Sequence, residues 1–262
     1  MPEVLCTVRN CHQPLAREER RVVCPRGHAF DIARSGYINL LQPQERRSKI
    51  PGDSPDAVAA RRRFLDRGHA EPLLNAIRSM LPDAKTILDA GCGDGYYLGS
   101  LGRGGSGIDI STAAVDLAAR RYPDCEWIVT NADRFIPYAD GSFDLILSIT
   151  GRMNADEFRR VGRNWLLVAI AAPDDLIELR GKPNRDRVQR TIESFSQFDL
   201  VKQERATTVA QLDAEDARDI LLATYRPRGG QPILSVGDRQ DCLSSTTLSL
   251  DLLLFRVSGS CC

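Results

Sequence analysis

Long hydrophobic runs are absent from these 262 residues, and that absence removes a class of functions. No stretch approaches the roughly 18 apolar residues a membrane-spanning helix requires. Met1 to Arg9 carries no apolar core that would read as a secretory leader. A cytoplasmic protein with no membrane contact is therefore expected. Net charge is missing too: 35 Lys and Arg balance 35 Asp and Glu, which argues against a chain that coats nucleic acid by bulk charge. There is no internal repeat and no low-complexity tract, so neither a solenoid nor a biased tail is expected.

The charge that is present is uneven. Residues 1–70 hold 13 Arg and Lys against 8 Asp and Glu, a net of +5 that the remainder offsets with −5. A basic front end can meet phosphates while the rest stays neutral or acidic. Arg-Arg pairs that merely solvate helix faces would leave the same imbalance.

Eight cysteines, in a chain expected to stay in a reducing compartment, read as metal ligands or small core residues rather than disulfides. Three cluster early, as Cys6-x4-Cys11-x12-Cys24-x3-His28. Two close pairs of soft ligands separated by a loop suit a tetrahedral structural zinc, with all four positions filled and none left open for catalysis. So short a segment has little core, and metal binding would supply much of its folding free energy. His12 is an alternate ligand whose spacing fits less well. Cys92 falls inside a glycine-rich loop, Cys125 and Cys242 are isolated, and Cys261 and Cys262 end the sequence.

Phe30 to Leu41 has strand-like character, residues 42–56 are polar with prolines and glycine, and a helical pattern runs from Ala57 to Leu81 with a break near Gly68. From Thr86 strands and helices alternate. Strands are predicted at Thr86–Asp89, Gly107–Ile110, Glu126–Val129, Phe143–Ser148 and Trp165–Ile170, with a late one at Leu248–Val257. Helices of crossover length fall at Ala113–Tyr122 and Asp156–Val161. This order predicts a doubly wound α/β sheet.

The strongest motif is Leu88-Asp89-Ala90-Gly91-Cys92-Gly93-Asp94-Gly95-Tyr96, a strand feeding a glycine turn that opens a helix. A Cβ there would resist the turn and hold a ligand off the backbone. The spacing is G-x-G-x-G after an acid, not the G-x-G-x-x-G of dinucleotide enzymes. S-adenosylmethionine (SAM) has no pyrophosphate, so its site needs close backbone approach to methionine and ribose instead of a phosphate cradle. Asp109 ends the next strand, 20 residues beyond Asp89, where a carboxylate accepts hydrogen bonds from a ribose diol. Asn131-Ala132-Asp133 follows the third strand, at the adenine position. Expected cofactor contacts are Asp89, Gly91, Gly93, Asp94, Gly95, Asp109, Ile110, Ala132 and Asp133. The predicted class is α/β, a Rossmann-like class I SAM-dependent methyltransferase fold. Residues 1–41 make a zinc-binding module, 42–84 a linker and helical segment, and 85–262 the methyltransferase domain.

Taken together, the chain resembles the RlmA-type guanine-N1 methyltransferases of large-subunit (23S) ribosomal RNA, a family that includes macrolide-resistance enzymes. The resemblance is carried by Cys11-His-Gln-Pro-Leu15, Cys24-Pro-Arg-Gly-His28-Ala-Phe-Asp31, Gly36-Tyr-Ile-Asn-Leu-Leu41, Gly52-Asp-Ser54, Ala60-Arg61, Phe64-Leu-Asp66, Gly68-His69 and Leu88 to Tyr97. Asp109-Ile-Ser111 and Ala172 to Leu179 extend it. It is close to continuous over residues 6–150. It implies Cys6, Cys11, Cys24 and His28 as zinc ligands, Gly93 and Asp94 as SAM contacts, and Asp109 at the ribose. It further implies a homodimer whose cleft, with the zinc module, grips an rRNA hairpin. Arg46, Arg47, Lys49 and Arg61 to Arg63 are the basic residues expected to meet RNA.

Methyl transfer to guanine N1 is an in-line displacement whose acceptor must lose a proton. Asp175 and His69 are candidates to accept it, each equally readable as a surface or capping residue, and no catalytic residue is assigned. The chain departs from its relatives around the acceptor: Ala70 replaces a tyrosine, Asp175 a histidine, and Gly162-Arg163-Asn164 a Pro-Gly-Gly turn before the fifth strand. The C-terminal substrate segment shrinks to Thr224-Tyr225-Arg226. Two other readings stay open: a SAM enzyme acting on another RNA position or a small molecule, and a catalytically silent RNA-binding relative.

Overall fold

The computed structural model describes residues 1–45, 52–224 and 244–257. Arg46, Arg47, Lys49, Tyr225, Arg226, Cys242, Cys261 and Cys262 lie outside the described residues.

The front of the chain is poor in large apolar side chains, and its strands are correspondingly short. β1 (Ala16–Arg17), β2 (Arg21–Val23) and β3 (Ala29–Asp31) form a small antiparallel sheet. β4 (Ile38–Asn39) leaves it and pairs in parallel with Ile128 and Val129 of the main sheet. A 3-10 turn at Pro43–Glu45 follows. α1 (Pro55–Asp66) starts where the Ser54 hydroxyl accepts a hydrogen bond from the Ala57 amide at 3.2 Å, with proline in the first turn and Asp56 beside the positive helix end. Gly68, at φ +84°, separates it from α2 (Glu71–Met80), at the break the sequence predicts.

The elements that follow are β5 (Ile87–Ala90), α3 (Tyr96–Ser100), β6 (Ser106–Asp109), α4 (Thr112–Arg121), β7 (Glu126–Val129), β8 (Phe143–Ile149), α5 (Ala155–Val161) and β9 (Gly162–Ala171). Then come α6 (Ile177–Arg180), α7 (Val188–Ser194), β10 (Phe198–Gln211), α8 (Ala214–Thr224) and β11 (Ser245–Val257). The eight-stranded sheet runs β10-β11-β9-β8-β5-β6-β7-β4. All neighbours from β9 to β4 are parallel, and β11 is antiparallel to both β9 and β10. After β5 the chain winds outward through β6 and β7, then returns to build β8 on the other side. The switch point, where such sheets bind ligands, therefore lies at the carboxyl end of β5.

Both faces of this sheet are covered, so its strands are near-continuous apolar runs. On one face Ile87, Leu145, Leu147, Leu167, Leu252 and Leu254 pack with Phe64, Leu65, Leu73, Leu74 and Ile77 of α1 and α2. On the other, Leu88, Ile108, Ile128, Ile146, Leu166 and Phe255 pack with Phe158 of α5 and Phe195. The alternation along each strand places odd and even residues in different cores. Where α4 and β7 press on β6, Gly107 leaves no room: a Cβ would overlap the Trp127 ring. Gly107→Ala should lower stability by about 1–3 kcal/mol through overpacking, read as a lower urea midpoint at unchanged slope.

Two expectations need correction. Gly162, Arg163 and Asn164 are not a turn; they are the first residues of β9, which begins as α5 ends. A Cβ on Gly162 would lie 2.7 Å from the Phe158 carbonyl oxygen, so glycine permits this direct passage from helix to strand. The sequence also offered no strand at Phe198–Gln211, yet 14 residues form β10 there. It is an edge strand whose residues are mostly exposed, so charged Lys202, Glu204 and Arg205 mask its period; Arg205 reaches Asp251 of β11 at 2.7 and 3.0 Å. No helix among the described residues is long and apolar enough to cross a membrane.

Candidate cofactor and zinc sites

The zinc-type cluster is assembled by two tight turns. Asn10 at φ +60° and Gly27 at φ +82° reverse the chain beside Cys11 and between Cys24 and His28. Cys6, Cys11 and Cys24 are buried, and the four ligand atoms lie within 4.8 Å of one another. Cys11 Sγ and Cys24 Sγ are 3.8 Å apart, and His28 Nδ1 is 3.5 Å from Cys6 Sγ and 3.4 Å from Cys24 Sγ. A regular tetrahedron with metal–sulfur bonds of about 2.3 Å and a metal–nitrogen bond of about 2.0 Å has edges of roughly 3.8 Å and 3.5 Å. The donor set thus fits zinc, with Nδ1 as the imidazole ligand. His12 does not join it; its ring stacks on Phe135 at 4.2 Å, on the main body. That stack, the Leu5 amide to the Pro137 carbonyl (2.9 Å) and the Val4–Tyr138 bridge fasten the metal cluster to the sheet.

The glycine turn sits at the switch point. The amides of Gly91 and Cys92 both donate to the Ile108 carbonyl, at 2.8 and 3.0 Å, which bends the chain sharply after β5. Gly93, at φ +54°, faces open space, and its amide donates to Asp109 Oδ2 at 3.0 Å. Gly95, at φ +75°, opens α3 where a Cβ would stand 2.6 Å from Trp127. Asp109 also accepts from the Ser111 amide at 2.8 Å, so β6 ends with its carboxylate clamped against the loop. Ile110 follows, packed against the helical face of the sheet. Burial pushes the Asp109 carboxyl up, against the pull of the Ser111 and Gly93 amides.

Asp89 and Asp94 are 1% and 2% exposed, and each has an oxygen, Oδ1 and Oδ2 respectively, with no hydrogen-bond partner. Arg62 approaches Asp94 Oδ2 to 3.7 Å, beyond hydrogen-bonding range. Burial, then the charges of Asp109 and Asp94, push the Asp89 carboxyl up to about 7. An acidic hollow with orphaned oxygens calls for a cationic donor. SAM brings an ammonium and a sulfonium, so the residues fit it.

Ala132 and Asp133 are held from across the crevice. Asn154 donates to the carbonyls of both, at 3.2 and 3.1 Å, and Arg152 pairs with Asp133 at 3.0 Å. Both belong to the segment after β8, where Thr150 takes φ +53° and Gly151 abuts Ala90 and Gly91. Asn154 was invisible in the sequence as a site residue; the signal that marks it is its position just ahead of a helix, where it caps α5.

The proton-acceptor candidates are both engaged. His69 Nε2 lies 2.9 Å from Asp216 of α8 and its ring packs on Phe64. Burial pushes the Asp216 carboxyl up, but His69, the Asp213 amide and Arg67 together hold it below its usual value. Asp175 accepts from the Ser249 amide at 3.0 Å and faces Arg180 at 3.6 Å. The basic run expected to meet RNA is equally committed. Arg62 is bound to Asp66 and the Tyr122 hydroxyl, and Arg63 forks onto Asp219. Ala70 is buried, at the start of α2.

Residues 6–49 match the model of the RlmA N-terminal zinc ribbon, and residues 87–168 match that of a methyltransferase domain. The chain is 33% identical over 225 residues to the 23S rRNA (guanine(748)-N1)-methyltransferase of Streptomyces fradiae, covering 78% of this chain and 79% of that protein. It is 34% identical over 194 residues to a Bacillus subtilis protein named for 23S rRNA guanine-N1 methylation, covering 67% of each. Among solved structures, a chain from the Haloferax volcanii complex of a methyltransferase with the Trm112 activator superposes with a TM-score of 0.52 at 18% identity, covering 79% of this chain and 99% of that one, which speaks for the fold alone. By these matches, and by a ribbon and glycine turn joined in one chain, the protein belongs to the RlmA-type 23S rRNA (guanine-N1-)-methyltransferase family.

Proposed function

We propose that this protein methylates N1 of a guanine in a 23S rRNA hairpin, acting in the cytoplasm as a homodimer. The observation that carries the reading is the fastening of a four-ligand zinc cluster onto the carboxyl edge of a SAM-type sheet, through β4 and the His12–Phe135 stack. SAM supplies an electrophilic methyl group on sulfur. The chain orients it: Gly91, Gly93 and Gly95 allow close backbone approach, and Asp109 takes the ribose diol through the lone pairs its backbone partners leave. Asp89 and Asp94 receive the cationic end, while Ile110, Ala132 and Asp133 border the adenine. Cys6, Cys11, Cys24 and His28 hold a structural zinc that shapes the RNA-facing module. In this account residues 1–41 form the module, 42–84 the connection, and 85–262 the methyltransferase domain.

Incubation with methyl-tritiated SAM tests this. Label should enter 23S rRNA and an isolated hairpin from it, and stay out of 16S rRNA; incorporation only into a free metabolite would contradict the reading. Light scattering of the zinc-loaded protein should give twice the chain mass of 29.0 kDa.

The raised Asp89 carboxyl yields a pH prediction. A cationic ligand favours ionised Asp89, so binding releases its proton. SAM affinity should therefore be full above about pH 7 and fall as pH drops through that value, approaching tenfold per unit. Titration calorimetry of the wild type and Asp89→Asn checks it; the variant should bind more weakly, with a flat profile over the same range.

A further inference from the structure

Arg61 opens the Arg61-Arg62-Arg63 run in α1, and its surroundings differ from those of its neighbours. Arg62 is locked by Asp66 and Tyr122, and Arg63 by Asp219, all away from the glycine turn. Arg61 instead is partly buried, hydrogen-bonds the Tyr97 hydroxyl, and feels the charges of Asp94 and Asp53. Its own charge reaches Asp89. Tyr97 is 8% exposed in α3, directly after the glycine turn. One guanidinium is thus set among four carboxylates, those of Asp53, Asp89, Asp94 and Asp109.

That setting decides between two ligands. A phosphodiester brought to Arg61 would meet a net negative field, so the expectation that this residue grips RNA is not supported by its position. An α-amino acid head group carries both signs on one carbon. The orphaned Asp89 Oδ1 and Asp94 Oδ2 are acceptors for its ammonium, and its carboxylate then needs a cation beside them. A guanidinium is the side chain best shaped for a carboxylate. We propose that Arg61, held by Tyr97 beside Asp89 and Asp94, binds the carboxylate of the cofactor's methionine end. The assignment rests on the methyltransferase reading, and it makes Arg61 a cofactor-binding residue.

Calorimetry of the full, zinc-loaded chain separates the alternatives with two probes. S-adenosylhomocysteine carries the amino-acid head; 5′-methylthioadenosine keeps the adenosine and thioether but lacks it. Arg61→Ala should weaken S-adenosylhomocysteine by about 10- to 100-fold, the range for a hydrogen-bonded charge, and change 5′-methylthioadenosine less than twofold. Arg61→Lys should recover part of the loss and Tyr97→Phe should show a smaller loss of the same selectivity, so a folding defect in one variant leaves the others to decide. Equal losses for both probes would make Arg61 only a structural counter-charge and overturn the proposal. Unchanged S-adenosylhomocysteine affinity with weakened rRNA binding would overturn it in favour of a phosphate contact. Wild-type protein that binds neither probe would instead count against the methyltransferase reading itself.

Discussion

Stripping zinc from this protein, or replacing Cys24 with serine, should abolish methyl transfer to rRNA while leaving SAM affinity within about threefold. The buried centre of the front segment is its ligand set: Cys6, Cys11 and Cys24, flanked only by Val8, Leu15 and Phe30. Such a centre buries too little apolar surface to offset chain entropy. Structural zinc contributes about 10–16 kcal/mol in comparable small domains, which exceeds anything those side chains supply. The glycine turn, Asp109 and the β5–β6 pair are built from residues 87–109 and do not use the cluster. Metal content, circular dichroism and SAM titration on the same sample check the dissociation of the two properties. Equal loss of SAM binding would show that the sheet cannot stand without the module.

Asp109→Ala should be the most damaging single change at the cofactor site. It removes the acceptor for the Gly93 and Ser111 amides, and with them the geometry of the glycine turn and the start of α4. Hydrogen bonds to a charged group are worth about 1.5–3 kcal/mol each, so losing two lowers SAM affinity by roughly 10²- to 10⁴-fold. Asp109→Asn keeps an acceptor oxygen and should fall between that variant and the wild type. Binding calorimetry gives both values, with a urea midpoint to report the accompanying stability loss.

How much of this was legible in the sequence depends on how local each signal is. The strands β5 to β9, the glycine turn and the ligand quartet are written in short runs, and they stand within a few residues of their expected places. β10 was not legible because an exposed edge strand shows no apolar alternation, and its pairing with β11 joins segments some 40 residues apart. The roles of Arg61, Arg62 and Arg63 could not be separated either. Three adjacent arginines on a helix point about 100° apart, and only the partners, Asp94, Asp66 and Asp219, distinguish them. His69 and Asp175 looked like free bases for the same reason: Asp216 and the Ser249 amide, which engage them, lie more than 70 residues away in the chain.

Primer extension on 23S rRNA treated with the zinc-loaded protein and SAM tests the central claim most directly. A methyl group at guanine N1 blocks Watson–Crick pairing, so reverse transcriptase should stop one nucleotide before a single guanine in a hairpin. The stop should require SAM and vanish with Asp109→Ala. Full read-through by folded, zinc-loaded, SAM-binding protein, or a stop at a residue other than guanine, would contradict the account.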